Sequence, residues 1–194
     1  MVKLIGKNKI DCAVFISGRG TNLKSIYKHS KKKLSKFRIK LVISDNNRAK
    51  GIIFTKKNKI NFKYFKYKIN KKSENQILNT LKRHHIKYIF LAGFMRILSK
   101  NFVNKYKNKI VNIHPSLLPK YKGLNTHKRA IDNKDKYSGC TVHFVTNKLD
   151  SGKIILQKKV RISKLDSPEK LAQKILKEEN KIYPRALDKI FSSF

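Results

Sequence analysis

Short apolar runs alternate with longer polar segments through the first 115 residues of the chain. The apolar runs predict strands at residues 13–17, 39–44, 62–67, 88–92 and 109–114. The intervening segments predict helices at residues 21–29, 48–57, 73–85 and 100–106. Strands that alternate with helices in this way are typical of βα units that build a parallel sheet. The run YIFLAG at 88–93 is apolar nearly throughout, which indicates a strand buried on both faces.

The pattern changes after residue 138. Residues 140–145 and 154–162 predict two successive strands that are too close together for a crossover helix. A final helix should begin after Ser167, with Pro168 in its first turn and Glu169 just inside, and Pro184 should kink or break it. We therefore predict an α/β fold with an open, mostly parallel Rossmann-like sheet, helices on both faces, and a C-terminal strand pair plus helix. A chain of 194 residues fits one domain, 1–194.

Composition limits the class of protein. Apolar residues make up 40% of the chain, enough to fold despite 30% charged residues, and no apolar run approaches the roughly 20 residues that span a bilayer. The first eleven residues lack the apolar middle region of a secretory signal, so we expect a cytoplasmic protein without a membrane partner. Cys12 and Cys140 are far apart and form no CxxC pair, which argues against a disulfide framework or a thiolate metal site.

The formal net charge of +37 allows two interpretations. A positive stripe could bind a nucleic-acid backbone. Alternatively, the charge is dispersed surface lysine without a particular target. The distribution favours dispersal, because lysines occur in nearly every segment and arginine, the usual residue for specific phosphate and base contacts, is scarce. We expect no specific nucleic-acid partner, although the charge can attract anionic small molecules.

A glycine turn, Ser17-Gly18-Arg19-Gly20-Thr21-Asn22, joins the first predicted strand to the first predicted helix. Glycines let the backbone approach a ligand, and amides at a helix N-terminus bind phosphate. The turn lacks the third glycine of the dinucleotide fingerprint and the ending of a P-loop. An ordinary βα turn capped by Thr21 therefore stays an alternative.

The segment NIHPSLLP at 112–119 carries the clearest chemistry. Asn112 and His114 lie two apart on a strand and so point to the same face, at the carboxyl edge where ligands of parallel sheets bind. An amide and an imidazole there could hold an oxyanion, and Asp150 is a candidate partner for the imidazole. A packed histidine and a turn-forming aspartate are the alternatives. His127 and His143 show no familiar zinc spacing with His114, so we expect no metal.

These segments together resemble the glycinamide ribonucleotide formyltransferases that use 10-formyltetrahydrofolate. The resemblance covers nearly the whole chain and is carried by FISGRGTNL at 15–23, VISDN at 42–46, LAGFMRILS at 91–99, NIHPSLLPKYKGLNTH at 112–127 and HFVTNKLDSGKIILQKKV at 143–160. It implies 10-formyltetrahydrofolate as co-substrate and glycinamide ribonucleotide as formyl acceptor, in purine synthesis. It also implies a nucleotide-binding part at about 11–112 and a folate and catalytic part at about 113–194, in a monomer or homodimer.

The resemblance implies roles for individual residues. The catalytic group would be Asn112, His114 and Asp150. The ribonucleotide would be bound by Gly20, Thr21, Asn22 and Glu179. The folate would be bound by Met95, Arg96, Ile97, Leu98, Asn112, Thr146, Asn147, Lys148 and Leu149. The family often has a folate-contacting arginine near the position of Asn70, where this chain offers only the amide with Lys71 and Lys72 beside it.

Three alternatives stay open on the sequence. The methionyl-tRNA formyltransferases have a similar catalytic domain, but they usually read GAAP where this chain has GLNTH, and we expect no C-terminal RNA-binding domain here. A formyltetrahydrofolate hydrolase would be expected to carry an N-terminal regulatory domain. A nucleic-acid-binding protein on a former enzyme scaffold would explain the charge.

Overall fold

A computed structural model describes residues 9–67 and 71–192 of the chain. Its strands are β1 (Ile10–Ile16), β2 (Phe37–Ser44), β3 (Asn61–Tyr64), β4 (Tyr88–Leu91), β5 (Ile110–His114), β6 (Tyr137–Phe144) and β7 (Ile154–Arg161). Its helices are α1 (Thr21–Ser30), α2 (Gly51–Lys57), α3 (Lys71–Arg83), α4 (Lys100–Lys105), α5 (Thr126–Asp132) and α6 (Pro168–Phe191). None of the described helices is both long enough and apolar enough to cross a membrane.

The strands form one sheet in the order β3-β2-β1-β4-β5-β6-β7. The pairs among β1 to β5 are parallel, and β6 and β7 are antiparallel additions. Strand β1 supplies both faces of the sheet: Cys12, Val14 and Ile16 join one apolar core, whereas Ala13 and Phe15 join the other. Helices α1, α5 and α6 contribute to the first core, and α3 and α4 contribute to the second. The predicted fold class is confirmed.

Two features differ from the sequence-based expectations: the presence of helix α5 and the course of helix α6 past Pro184. Helix α5 is absent from the predicted elements, because its seven residues bury only Thr126 and Ala130 and so give no periodic apolar signal. Helix α6 begins as predicted, since the Ser167 side chain accepts a hydrogen bond from the Lys170 amide.

Of the kink or break expected at Pro184, the break does not occur, because α6 continues to Phe191. Proline has no N–H group, so Pro184 cannot donate a hydrogen bond to the carbonyl of Asn180, four residues before it. The Ser25 hydroxyl of α1 donates to this carbonyl at 2.8 Å. The packing of α1 on α6 therefore satisfies the group that proline leaves free.

Candidate active site

The candidate site lies where the strand order reverses. From β1 the chain builds outward to β2 and β3, and it then returns to build β4 and β5 on the other side. In open α/β sheets, ligands bind in the crevice outside the carboxyl ends of the strands at such a point. The loops after β1 and β4 and the end of β5 meet there, which is where the sequence places its candidate residues.

His114 ends β5 and is 6% exposed. Its Nε2 lies 2.8 Å from the carbonyl oxygen of Tyr121, and its Nδ1 lies 3.4 Å from Oδ2 of Asp150. A carbonyl oxygen only accepts hydrogen bonds, so Nε2 carries a proton. The second ring nitrogen faces a carboxylate. The ring therefore donates through Nε2 to Tyr121 and presents Nδ1 to Asp150.

Asp150 reaches His114 from the loop between β6 and β7. Its backbone is left-handed, with φ of 44°, and the Gly123 amide donates to its Oδ2 at 2.9 Å. Its Oδ1 lies 3.7 Å from Nε2 of His143. The carboxylate therefore lies between two imidazoles, and its side chain is 9% exposed. The fold brings it to His114 across a separation of 36 positions along the chain.

From the sequence His143 was a candidate only as a metal ligand, and its environment in the structure is different. Its Nδ1 lies 2.9 Å from the Phe144 carbonyl oxygen, and its Nε2 lies 3.3 Å from Nδ2 of Asn112. Burial lowers the pKa of His143, which favours a neutral ring with the proton on Nδ1. Nε2 then accepts from the Asn112 amide and fixes which way that amide points. Only the antiparallel pairing of β5 with β6, which sets Asn112 opposite His143, brings the two together.

The glycine turn after β1 packs tightly against α2. Gly20 has φ of 70°, and a Cβ there would lie 2.9 Å from the Gly51 Cα, so a larger residue would have to displace the backbone. Gly20, not Thr21, occupies the N-cap position of α1, which overturns the alternative of a threonine cap. The first amides of α1 lack acceptors within the helix and are suited to bind an anion.

Asn22 and Glu179 meet across the interface between α1 and α6. The Asn22 Nδ2 donates to the Glu179 carboxylate at 2.7 Å, and the two residues are 5% and 8% exposed. Burial raises the pKa of Glu179 to about 7, although the bond from Asn22 acts in the opposite direction. The Asn22 Nδ2 is therefore committed to Glu179, whereas the Asn22 Oδ1 is buried without a hydrogen-bond partner among the described residues.

The segments that the resemblance assigns to the folate lie in two exposed loops. Met95 and Ile97 are 65% and 62% exposed, whereas Leu98 is buried. In the other loop Leu149 is 54% exposed, and Thr146, Asn147 and Lys148 are exposed as well. Exposed apolar side chains at the carboxyl edge of the sheet suit a flat, largely apolar ligand. Asn70 lies outside the described residues.

The remaining histidines form no metal centre within the described residues. No group of three or more His, Cys, Asp or Glu side chains in these ranges is arranged to hold a metal ion. Nε2 of His127 is buried without a hydrogen-bond partner there, and burial, with His114 nearby, lowers the pKa of its ring. Both cysteines are free and buried.

Comparison with known proteins adds to this geometry. A family model described as formyl transferase matches residues 10–187. The chain is 41% identical over 175 residues to a phosphoribosylglycinamide formyltransferase of Haemophilus influenzae, covering 89% of this chain and 82% of that protein. It is 38% identical over 191 residues to the trifunctional purine biosynthetic protein adenosine-3 of Gallus gallus, covering 97% of this chain but only 19% of that protein.

A solved structure is similar over almost the same range. The crystal structure of phosphoribosylglycinamide formyltransferase from Brucella melitensis has a TM-score of 0.89 and 37% sequence identity, covering 94% of this chain and 96% of that one. The fold, the residues gathered at its switch point and these similarities agree. The chain belongs to the formyl transferase family.

Proposed function

We propose that this chain transfers the formyl group of 10-formyltetrahydrofolate to the amine of glycinamide ribonucleotide, giving N-formylglycinamide ribonucleotide and tetrahydrofolate in purine synthesis. One observation carries the proposal. The His114 imidazole, at the end of β5, is held between the Tyr121 carbonyl and the Asp150 carboxylate, on the same strand face as Asn112. The relatives with this activity that match most of the chain support the same conclusion.

The chemistry is acyl transfer between two nitrogen atoms. The substrate amine forms a bond to the formyl carbon, the bond from that carbon to the folate N10 breaks, and a proton passes from the attacking nitrogen to N10. Negative charge develops on the formyl oxygen between these events. A site for this reaction needs hydrogen-bond donors at that oxygen and a group that moves the proton.

His114 and Asn112 are the donors in this proposal. The distance of 3.4 Å from Nδ1 to Asp150 exceeds the usual length of a hydrogen bond, so the Nδ1–H is available to a substrate oxygen placed beside it. The proposal requires a proton on both ring nitrogens of His114, one for the Tyr121 carbonyl and one for the substrate oxygen. One Asn112 N–H is directed to His143, which leaves the other for the same oxygen.

Asp150 also has a position suited to proton transfer. Its carboxylate is little exposed and contacts both imidazoles, and it can accept the amine proton directly or through one ordered water and deliver it to N10. No covalent intermediate with the chain is required.

The two substrates are assigned to the two parts of the domain. Gly20, Thr21 and Asn22 would bind the ribonucleotide phosphate through backbone amides, with Glu179 contacting the glycinamide portion. The residues of 95–98 and 146–149 would bind the folate, the first stretch through backbone groups. The ribonucleotide would thus bind mainly to part 11–112 and the folate mainly to part 113–194, although 95–98 crosses this division.

We further propose a cytoplasmic enzyme that acts as a monomer or homodimer.

The test compares His114→Ala and Asp150→Asn with the unaltered enzyme. Release of tetrahydrofolate is followed by absorbance, with glycinamide ribonucleotide or methionyl-tRNA as acceptor. Each variant should lose about a hundredfold or more in turnover, while calorimetry shows unchanged ribonucleotide binding. Asparagine tolerates the left-handed backbone at position 150, so the second substitution removes the charge and little else.

A matched control is His29→Ala. His29 also pairs with an aspartate, Asp188, at 2.8 Å, but between α1 and α6 rather than at the carboxyl edge of the sheet. This variant should keep its turnover. Near-normal turnover in either site variant would contradict the roles proposed for His114 and Asp150. Formylation of methionyl-tRNA but not of glycinamide ribonucleotide would contradict the proposed acceptor.

A further inference from the structure

Asp45 is a nearly buried carboxylate that belongs to none of the three groups of candidate site residues. It follows β2 directly, and its side chain is 3% exposed. Its Oδ1 accepts from the Ser17 hydroxyl at 2.5 Å, and its Oδ2 accepts from Nε of Arg96 at 2.6 Å. One carboxylate thus bonds to the loop after β1 with one oxygen and to the loop after β4 with the other.

Ser17 extends the connection. Its hydroxyl oxygen accepts from the Met95 amide at 2.9 Å, while its own amide donates to the Gly93 carbonyl at 3.1 Å. The hydroxyl can donate only one hydrogen bond, and Asp45 accepts it. The lone pairs of the hydroxyl oxygen are therefore left to accept from the Met95 amide. The carboxylate therefore fixes Arg96 directly and Met95 through Ser17.

The two loops depend on Asp45 to different degrees. The loop after β1 is also held by the Asn46 side chain, which donates to the Ser17 carbonyl at 3.1 Å, and by the packing of Gly20 on Gly51. The loop after β4 is also held by two other hydrogen bonds. The Gly93 carbonyl accepts from the Ser17 amide, and the Tyr67 hydroxyl lies 2.9 Å from the Ile97 carbonyl oxygen. Loss of Asp45 should therefore disturb residues 95 and 96 more than the glycine turn.

We propose that Asp45 is a positioning residue: it holds residues 95 and 96 in the arrangement that binds the folate, and it aligns this loop with the glycine turn that binds the ribonucleotide. The inference rests on the proposed function, because the ligands of the two loops come from it. Asp45 itself contacts no substrate, and it acts through Ser17 and Arg96.

A buried ion pair can also serve stability alone, and the chain offers a control for that role. Asp11, at the other end of the sheet, accepts from Nε of Arg38 and from Nζ of Lys40, and its side chain is 13% exposed. Asp11→Asn removes an arginine-paired carboxylate near the start of β1, whereas Asp45→Asn removes one at the carboxyl edge. Both variants lose a paired charge, and only the second should alter substrate binding.

The experiment measures steady-state kinetics for both substrates and amide hydrogen exchange in the peptide that contains residues 93–98. For Asp45→Asn we expect the KM for 10-formyltetrahydrofolate to rise about tenfold or more, the KM for the ribonucleotide to rise less, and kcat to stay within about threefold. Exchange in the peptide should accelerate. In Asp11→Asn none of these quantities should change beyond about twofold.

Arg96→Gln provides a second route if Asp45→Asn does not fold. The Arg96 side chain is 54% exposed, so its removal is tolerated, and it breaks the same ion pair from the outer side. It should raise the folate KM by a smaller factor, because the Ser17 bond to Asp45 stays in place. The double variant should be no worse than Asp45→Asn alone, since the two residues act through one contact.

Equal kinetic changes in Asp45→Asn and Asp11→Asn would overturn the proposal, as would unchanged exchange at residues 93–98. The exchange measurement needs no turnover, so it decides whether Asp45 holds the loop even if the unaltered enzyme fails to formylate glycinamide ribonucleotide. In that case calorimetric titration with tetrahydrofolate replaces the KM. Failure of the proposed function and failure of this inference are thus distinguishable.

Discussion

The buried carboxyl of Glu179 predicts that a single isosteric substitution stabilises the protein at neutral and alkaline pH. Burial between α1 and α6 raises the pKa of Glu179 from its ordinary value of 4.5 to about 7. The folded protein therefore holds this proton more tightly than the unfolded chain does. The contribution of the carboxyl to stability is fully present below pH 4.5 and is lost as the pH rises through about 7.

The size of the effect follows from the two pKa values. One pKa unit corresponds to about 1.4 kcal/mol, so raising the value from 4.5 to about 7 lowers the free energy of unfolding by about 3 kcal/mol once the carboxyl is ionised. The total stability of a domain is typically about 5–15 kcal/mol. In Glu179→Gln the group stays neutral, and its amide oxygen can still accept from Asn22. At neutral and alkaline pH the variant should therefore keep the free energy of unfolding that the unaltered protein loses when Glu179 ionises.

Urea unfolding followed by circular dichroism, repeated between pH 4.5 and pH 8, measures this difference. The gain of Glu179→Gln over the unaltered protein should be small at pH 4.5 and reach about 3 kcal/mol at pH 8. Glu178→Gln is the matched control, because that carboxylate pairs with Lys181 at 2.7 Å near the surface. A difference that does not change with pH, or the same trend in the control, would refute the account of burial at Glu179.

Two further predictions concern contacts that join distant parts of the chain. Ser25→Ala should lower the free energy of unfolding by about 1–2 kcal/mol, but by much less in a Pro184→Ala background, where a new amide bonds to the freed carbonyl. Urea unfolding of the four variants measures this, and equal costs in both backgrounds would contradict it. His143→Phe should lower kcat about tenfold and leave both KM values within about threefold, because Asn112 loses the acceptor that orients it. His127→Phe, which removes a ring nitrogen without a partner in the described structure, is its control, and a similar loss of kcat there would contradict the role of His143.

The sequence alone determined the architecture of the sheet and the point at which the last helix of the chain begins. Apolar runs predicted the parallel strands because a strand covered on both faces must be apolar at nearly every position, and β1 divides its side chains between the two cores accordingly. Ser167, Pro168 and Glu169 marked the start of α6 because capping depends on neighbouring residues only. Asn112 and His114 could be placed on one face for the same reason, since two residues on one strand have a fixed relation.

Tertiary structure decided the contacts that give those residues their chemistry. The Tyr121 carbonyl at His114, the His143 ring at Asn112 and the two bonds of Asp45 join segments whose proximity depends on strand order and register. The continuation of α6 through Pro184 depends on a hydroxyl of another helix. A local pattern records the preferences of nearby residues, whereas hydrogen bonds at the switch point are set by how distant segments pack. The fold was therefore predictable from the chain, and the protonation and orientation of the site residues only from the packed structure.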